Sequence, residues 1–245
     1  NVMEDRWSGD LVVRGTDDGF AHLVWTRRYM DTNGFLMQTL SYSTIDPTCR
    51  MTPTQDLLEG IPLSDGKYWG IDMDVSKTEI LVAGYHRDLF TGGTMEDITN
   101  IFLLHADAPV SSSDWKIERS IISDIDVPPA NSDPLAIEFG FEQAHILYQT
   151  IRNDSTGVDR LGLWYAHGEI EQPTWSYRKA IGDEAALPQM TVIVEEEDEE
   201  ERIVALWREG SPQDSELVAI VADSTFRSVE GMETRLPARG LGKIG

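Results

Sequence analysis

The sequence predicts an all-β fold, because one short block recurs four times along the chain. Each copy is an apolar strand that ends in an aromatic residue, and the closing aromatics are Trp25, Tyr85, Tyr148 and Trp207. Their spacings are 60, 63 and 59 residues. Such a period is long for a helical solenoid and typical of a four-stranded sheet with its loops, which is one propeller blade. We therefore predict a β-propeller of four four-stranded blades, or four blades of a larger ring.

Each aromatic lies in the same succession of four predicted strands, A to D, within a single domain spanning 1–245. In the first blade (about 10–56), strand A covers 11–14, B ends at Trp25, C covers 35–42 and D lies near 49–54. These strands are rich in Val, Ile, Leu and aromatic residues, and clusters of Gly, Asp, Asn and Pro separate them. No stretch has a helical period.

The other three blades repeat this succession. In the second blade (67–122), A is 68–75, B ends near Tyr85, C is 101–105 and D is 115–121. In the third (133–181), A is 135–139, B ends at Tyr148, C is 161–166 and D is 175–180. In the fourth (187–236), A is 190–194, B ends at Trp207, C is 217–222 and D is 226–233. Segments 57–66 and 124–133 carry prolines and acids and would link D of one blade to A of the next.

The composition limits the classes of function. The formal net charge is -23, from 43 acidic and 20 basic residues, and a surface this acidic repels phosphate, so we expect no nucleic-acid partner. The single cysteine, Cys49, excludes an intrachain disulfide, and we expect it to be a buried structural residue. No apolar run approaches the ~18 residues of a membrane span. Because the chain starts at Asn1, we expect a mature exported protein, extracellular or at the cell surface, or a piece of a longer one.

The strand B pattern, a polar turn followed by AHLVW or AHILY, resembles the sialidase-like propellers that carry BNR, or Asp-box, repeats. In that family the turn between strands C and D carries Ser-x-Asp-x-Gly-x-Thr-Trp. This chain keeps Thr174 and Trp175 in the third blade and Trp115 in the second. Where the family has its Asp and Gly, the chain has Ile170, Gln172, Val110 and Ser112. The resemblance implies the propeller fold, and these departures put the family's glycosidase activity in doubt.

An arginine follows the strand B aromatic in every predicted blade. The set is Arg27, Arg28, Arg87, Arg152 and Arg208. We expect these residues in the turns between B and C, on one face of the propeller. The resemblance implies that substrate-binding arginines gather on this face, since a guanidinium fork can hold a carboxylate with two hydrogen bonds. Alternatively, these are solvated turns with weak Arg–Asp pairs. We take Arg28, Arg87, Arg152 and Arg208 as candidate ligand-binding residues.

Ionisable residues in strand A form a second candidate group, because strand A lines the central channel of a propeller. Asp72 and Asp74 lie two apart and therefore share a face of their strand. Arg14 and Glu138 occupy similar places in their own blades. The two carboxylates could share a cation or divide acid and base roles. Alternatively, Arg14 neutralises Asp74 in a structural ion pair.

The remaining charged residues give weaker signals. The acidic run EEEDEEE at 195–201 falls in the predicted turn between A and B of the fourth blade, where we expect a solvated turn. His22 and His145 hold the same position in two B strands, while His86, His105 and His167 are scattered. By spacing, the histidines form no metal site. We expect no metal and no cofactor.

Together these observations favour a non-catalytic recognition propeller that binds a glycan or protein partner across one face. A glycan-active enzyme, either a sialidase-like hydrolase or a polysaccharide lyase, is the first alternative. The second alternative is a structural subunit of a surface assembly. The sequence does not determine the oligomeric state.

Overall fold

The computed structural model describes residues 6–58, 60–63, 66–76, 78–88, 98–107, 115–123, 125, 134–141, 143–153, 159–172, 175, 177–195, 200–211 and 214–237. Every regular element in these ranges is a β-strand, and none of them is helical. The chain divides into two units, Asn1–Ile125 and Asp126–Gly245. Each unit contains two antiparallel sheets, which we number I to IV in chain order.

The first unit contains sheets I and II. Sheet I is formed by β1 (Arg6–Gly15), β2 (Ala21–Met30), β3 (Leu36–Ile45), β4 (Gln55–Asp56) and β5 (Ile61–Pro62). The short strands β4 and β5 both pair with β3, so together they occupy the fourth position of the sheet. Sheet II has the order β6 (Gly66–Val75), β7 (Glu79–Asp88), β8 (Ile98–Asp107) and β9 (Lys116–Ile122).

The second unit contains sheets III and IV. Sheet III has the order β10 (Leu135–Phe139), β11 (Ala144–Asn153), β12 (Asp159–Gly168) and β13 (Tyr177–Asp183). Sheet IV has the order β14 (Ala185–Glu195), β15 (Glu200–Ser211), β16 (Asp214–Asp223) and β17 (Ser228–Pro237). All four sheets are antiparallel meanders with the strand order of a propeller blade, which confirms the predicted fold class.

Within each unit, the facing sheets share an apolar core. In the first unit, Val24, Tyr42, Met73, Ile80 and Phe102 are among the buried residues that join sheets I and II. In the second, Leu147, Tyr165, Ile203, Trp207 and Val218 are among those that join sheets III and IV. Both faces of the middle strands are covered in sheet II, where Ile80, Leu81, Val82 and Ala83 are all 0% exposed. This burial explains why these strands read as unbroken apolar runs.

The strands extend well past the aromatics at which we predicted strand B to end. Tyr85, Tyr148 and Trp207 are buried. Trp25 is only partly buried, because it lies on the face of β2 opposite the buried Val24. The aromatic stands near the middle of β2 and β11 but past the middle of β7 and β15, so the four positions are not equivalent. The aromatic repeat marks strand B in each sheet without fixing its register.

One turn geometry recurs at the ends of the strands. In Asp46–Arg50 and Asp223–Arg227, the Asp carboxylate accepts hydrogen bonds from the Thr two residues on and from the backbone N–H four residues on. The fourth residue, Cys49 or Phe226, has a left-handed backbone with φ of 62° or 55°. Cys49 is exposed, so the expectation that it is a buried structural residue is wrong.

Candidate functional site

The second unit has a pocket of about 590 Å³ where turns of sheets III and IV lie side by side. The turn from β10 to β11 supplies Phe141 and Gln143, and the start of β15 supplies Glu200 and Glu201. The turn after β12 supplies Glu169, and the end of β16 and the turn after it supply Asp223 and Ser224. In each sheet these turns are at the opposite ends of the strands from the turns between B and C, where we expected the ligand-binding face.

Glu201 is the buried anchor of this pocket, with a side chain that is 5% exposed. Its Oε1 accepts a hydrogen bond from the backbone N–H of Phe141 at 2.5 Å. Its Oε2 accepts one from Nε2 of Gln143 at 2.7 Å and lies 3.3 Å from Nε2 of His145. The prediction that the 195–201 run is a solvated turn is therefore wrong for Glu201. The run also includes 196–199, which lie outside the described residues.

His145 connects this carboxylate to the core of the unit. Its ring is 0% exposed, and its Nδ1 lies 2.6 Å from the hydroxyl of Tyr165. The Tyr165 hydroxyl donates its proton to the carbonyl oxygen of Ser224 at 2.7 Å, so it must accept a proton from Nδ1 of His145. Nε2 faces the Glu201 carboxylate at 3.3 Å. A proton on Nε2 as well would give His145 a positive charge next to that negative carboxylate. We therefore interpret His145 and Glu201 as a buried ion pair.

A second histidine supports this assignment. Nδ1 of His167 lies 2.6 Å from Oε1 of Gln143, so His167 donates to the amide that in turn donates to Glu201. The rings of His145 and His167 are stacked with centroids 5.9 Å apart. Burial lowers the pKa of His167, and repulsion from His145 lowers it further. Both influences favour the neutral form of His167.

Opposing influences set the charge of Glu201. Burial is the largest and would raise the pKa of Glu201. The contact with His145 and the hydrogen bonds from Phe141 and Gln143 together outweigh burial and lower the pKa to about 2. The backbone of the turn between β10 and β11 lies very close to these side chains. A Cβ on Gly140 would overlap both the Glu201 carboxylate and the His145 ring. Glycine is required at that position.

The open part of the pocket is acidic with one apolar element. Phe141 is 48% exposed, while Glu169 and Glu200 are exposed carboxylates. The carboxylate of Asp223 accepts hydrogen bonds from the backbone of its own turn, as described above, and these bonds hold this part of the pocket lining in place. The pocket therefore offers several hydrogen-bond acceptors on a rigid frame beside an exposed aromatic ring.

The arginines that follow the aromatics lie inside strands rather than in the predicted turns. Arg27 and Arg28 are in β2, Arg87 is in β7, Arg152 is in β11 and Arg208 is in β15. The strands extend beyond the aromatic residues, because polar side chains there continue the alternation between the two faces of each strand. The side chain of Arg152 lies outside what the structure describes, and Arg208 is half-buried in the second unit.

In the first unit, two of these arginines surround a lysine. Lys67 on β6 is directly opposite Arg87 on β7, and its ammonium lies 4.7 Å from the centre of the Trp69 ring. Burial lowers the pKa of Lys67, and repulsion from Arg87 and Arg28 adds to this effect against an attraction to Asp10. We call Arg28, Lys67 and Arg87 the basic cluster. Lys67 had no place in the sequence-based set of candidates, although its position opposite Arg87 follows from the strand pairing.

The strand A candidates are arranged differently from the prediction. Asp72 and Asp74 share a face of β6, as expected, and Ile71 and Met73 are buried on the other face. Arg14 pairs with Asp72, at 2.7 Å, instead of with Asp74. Glu138 on β10 is opposite His145 on β11, as Arg14 on β1 is opposite His22 on β2. The predicted equivalence of Arg14 and Glu138 in their sheets is thus correct.

His105 lies beside two carboxylates, which the spacing of histidines along the chain did not indicate. Ligand atoms of His105, Glu79 and Asp107 all lie within 4.8 Å of one another. The three residues come from two neighbouring strands, so no motif within one segment could show them. Of the Asp-box residues, Trp175 is buried and its Nε1 donates to the carbonyl of Glu169, while Thr174 lies outside the described residues.

Comparisons with known proteins add little to this description. Within the described part of the chain, there is no helix with the length and apolar character needed to cross a bilayer. No family model matches the chain, and no curated protein matches it. Among solved structures, an α-L-arabinofuranosidase from Lactobacillus brevis is similar, with 11% identity and a TM-score of 0.41 over 93% of this chain and 71% of that chain. At this level of identity and TM-score, the likeness carries no information about activity.

Proposed function

We propose that the chain is a non-catalytic recognition module that binds a neutral glycan in the pocket of the second unit. The observation that carries the proposal is the pocket itself. Exposed Phe141 adjoins the acceptors Glu169 and Glu200 on a frame held by the buried Glu201 and Gln143. Sugar hydroxyls donate to carboxylates and amides, and an aromatic face can cover the apolar side of a sugar ring. A volume of about 590 Å³ lies in the usual range for small-ligand sites.

The charge of the pocket selects among glycans. Among the described residues, its lining contains four acidic side chains and no basic one, in a chain with a formal charge of -23. Repulsion therefore disfavours uronic or sialic acids in this pocket. Neutral oligosaccharides satisfy the acceptors without this repulsion. The pocket thus differs in its ligand from an arginine-based site, which would select acidic sugars.

Titration of neutral and acidic oligosaccharides into the purified chain at fixed salt tests the proposal. We expect binding of a neutral oligosaccharide, and Glu200→Gln should weaken it about tenfold, since a hydrogen bond to a charged group contributes about 1.5 kcal/mol. The control is Asp17→Asn, which removes one exposed carboxylate in a turn of sheet I. Binding of acidic sugars alone, or equal affinities in both variants, would contradict the proposal. Release of new reducing ends would show an enzyme.

The basic cluster of the first unit favours a second candidate function. Arg28, Lys67 and Arg87 concentrate positive charge in an otherwise acidic chain, and two of them are directly opposite each other. Like charges in directly opposed positions repel each other, and an anion bound beside them would reduce that repulsion. A carboxylate of an acidic glycan or an acidic peptide would supply that anion.

Substitution of single arginines distinguishes the two candidates. If the basic cluster is the site, Arg87→Ala should weaken binding of an acidic ligand by about 2 to 4 kcal/mol where the contact is buried and bidentate. The matched control is Arg50→Ala, which removes one exposed guanidinium from a turn of sheet I. Equal loss in both variants would show a general effect of net charge.

The proposal includes a place outside the cell, at the surface or in the medium. The acidic composition supports that placement. It also includes a distant relationship to the sialidase-like propellers. The support is the buried Trp175 ahead of β13, where the Asp-box of that family ends with its tryptophan. Fractionation of the source cells tests the location directly.

A further inference from the structure

We propose that Glu79, His105 and Asp107 bind one divalent transition-metal ion, for which zinc is the test case, at an end of sheet II. The pairing of β7 and β8 brings the three residues together. Glu79 is directly opposite Asp107, and His105 lies two residues before Asp107 on the same strand. Residues directly opposite, and residues two apart on one strand, share a face of the sheet. All three side chains therefore project from one face.

The distances fit a single ion. Nε2 of His105 lies 3.1 Å from Oε1 of Glu79, and the ligand atoms of all three residues are within 4.8 Å of one another. Two ligands bound at about 2.1 Å to one tetrahedral zinc ion are about 3.4 Å apart. His105 and Glu79 already have this spacing. Asp107 is exposed, so rotation of its side chain can close the remaining gap.

The geometry of His105 decides which ring nitrogen would bind the ion. The residue is 8% exposed, and its Nε2 faces Glu79, to which it donates a hydrogen bond at 3.1 Å. An ion at the site would take the place of the proton on Nε2. The proton of the neutral ring would then lie on Nδ1, which is buried without a hydrogen-bond partner among the described residues. A neutral imidazole nitrogen is the commonest protein ligand of transition metals.

The charges around the site point in the same direction. Glu79 and Asp107 form a directly opposed like-charge pair, which destabilises a sheet unless a cation lies between them. One nitrogen and two carboxylates are a donor set that zinc accepts, whereas calcium and magnesium take oxygen ligands. Three protein ligands leave at least one coordination position for water or for an oxygen of a bound molecule.

Lys116 provides the competing explanation, because it lies directly opposite His105 on β9. Its ammonium could compensate the carboxylates without a metal. The two explanations differ in what Lys116→Met does. If the site binds a metal, this variant binds zinc at least as tightly as the unchanged chain. If the ammonium is the permanent counter-ion, zinc binding appears only after Lys116 has been replaced.

The experiment is calorimetric titration of zinc chloride into the chelator-treated chain at pH 7.5, with thermal melts of each variant. We expect one zinc ion per chain, a tenfold or greater loss of affinity in Asp107→Asn and in Glu79→Gln, and no loss in Asp17→Asn. Cobalt in place of zinc should give visible absorption bands that His105→Gln removes. Absence of binding, equal affinity in Asp107→Asn and Asp17→Asn, or binding confined to Lys116→Met would overturn the proposal. Because Asp107 is exposed, Asp107→Asn should fold, and its melt shows whether it does.

Discussion

Oε2 of Glu201 lies 3.3 Å from Nε2 of His145, and the two side chains are only 5% and 0% exposed. They come from different sheets of one unit, since His145 is in β11 and Glu201 is the second residue of β15. Removing one partner from a buried ion pair leaves the other charge uncompensated, which is costly. The pair therefore joins sheet III to sheet IV and holds the pocket wall in place.

The first prediction concerns acid. The pKa of Glu201 is held at about 2, below its ordinary value of 4.5. The stabilisation that this carboxylate gives is therefore complete above pH 4.5 and is lost as the pH falls towards 2. Thermal melts between pH 2 and 7 should show this loss in the unchanged chain.

The variant Glu201→Gln isolates that contribution. It should be less stable at pH 7 by about 3 kcal/mol, because His145 loses its counter-ion. Its stability should also fall less than that of the unchanged chain between pH 4.5 and 2. The control is Glu200→Gln, since Glu200 is exposed and adjacent. Parallel pH profiles for the unchanged chain and Glu201→Gln would show that Glu201 is not the titrating group.

The second prediction compares two tyrosines in equivalent positions. Tyr165 and Tyr42 each bond Nδ1 of a histidine twenty residues earlier, at 2.6 and 2.8 Å. Tyr165 also donates to the carbonyl of Ser224 in the neighbouring sheet. Tyr165→Phe should cost about 2 to 3 kcal/mol, because it leaves buried polar groups without partners, and Tyr42→Phe about 1 kcal/mol. Urea denaturation measures both. Equal costs would mean that the bond between the sheets contributes nothing.

The repeat period also predicts which segments of neighbouring sheets lie next to each other. Contacts between neighbouring sheets join residues about one period apart: Gln143 and Glu201 are 58 apart, Tyr165 and Ser224 are 59 apart, and Arg14 and Asp72 are 58 apart. Successive blades place equivalent residues side by side, so a period of 60 predicts which segments meet. Applied to the 195–201 run, it indicates the turn at 140–143 as its neighbour.

The repeat period does not predict two other features of the structure. Strand ends were placed too early because the apolar pattern stops at the aromatic, while the hydrogen-bonded ladder continues through Arg87 to Asp88 in β7. Alternation on a solvated face leaves no apolar signal. The sequence also did not predict that Glu201 is buried. Seven adjacent acids look alike in sequence, and the hydrogen bonds that Glu201 accepts from Phe141 and Gln143 depend on contacts with another sheet.

The third prediction compares two tryptophans of the aromatic repeat. Trp207 is 3% exposed in the core between sheets III and IV, whereas Trp25 is only partly buried. Trp207→Ala should cost about 3 to 5 kcal/mol because it leaves a large cavity. Trp25→Ala should cost no more than about 2 kcal/mol, since less apolar surface is lost from the core. Guanidinium denaturation of both variants tests the difference, and equal costs would show that Trp25 packs in a core of its own.

The fourth prediction concerns the two turns with left-handed residues. Cys49 and Phe226 both have positive φ, a conformation that costs a residue with a side chain about 1 kcal/mol and costs glycine almost nothing. Cys49 is exposed, so Cys49→Gly removes that strain at no loss of packing. Glycine also gives the unfolded chain more conformational entropy, which lowers the free energy of unfolding by about 0.4 to 1 kcal/mol. Cys49→Gly should therefore leave stability unchanged within about 1 kcal/mol.

Phe226→Gly relieves the same strain but removes a ring that is 2% exposed and packs against Tyr165, with centroids 4.7 Å apart. It should destabilise the chain by about 3 to 5 kcal/mol. Cys49→Val completes the comparison, because a β-branched side chain is strongly disfavoured at positive φ, and it should cost about 1 kcal/mol more than the unchanged cysteine. The denaturant midpoint should be highest for Cys49→Gly, lower for Cys49→Val and lowest for Phe226→Gly. If Cys49→Val were as stable as Cys49→Gly, the turn at Asp46 would not hold its fourth residue in the left-handed conformation in solution.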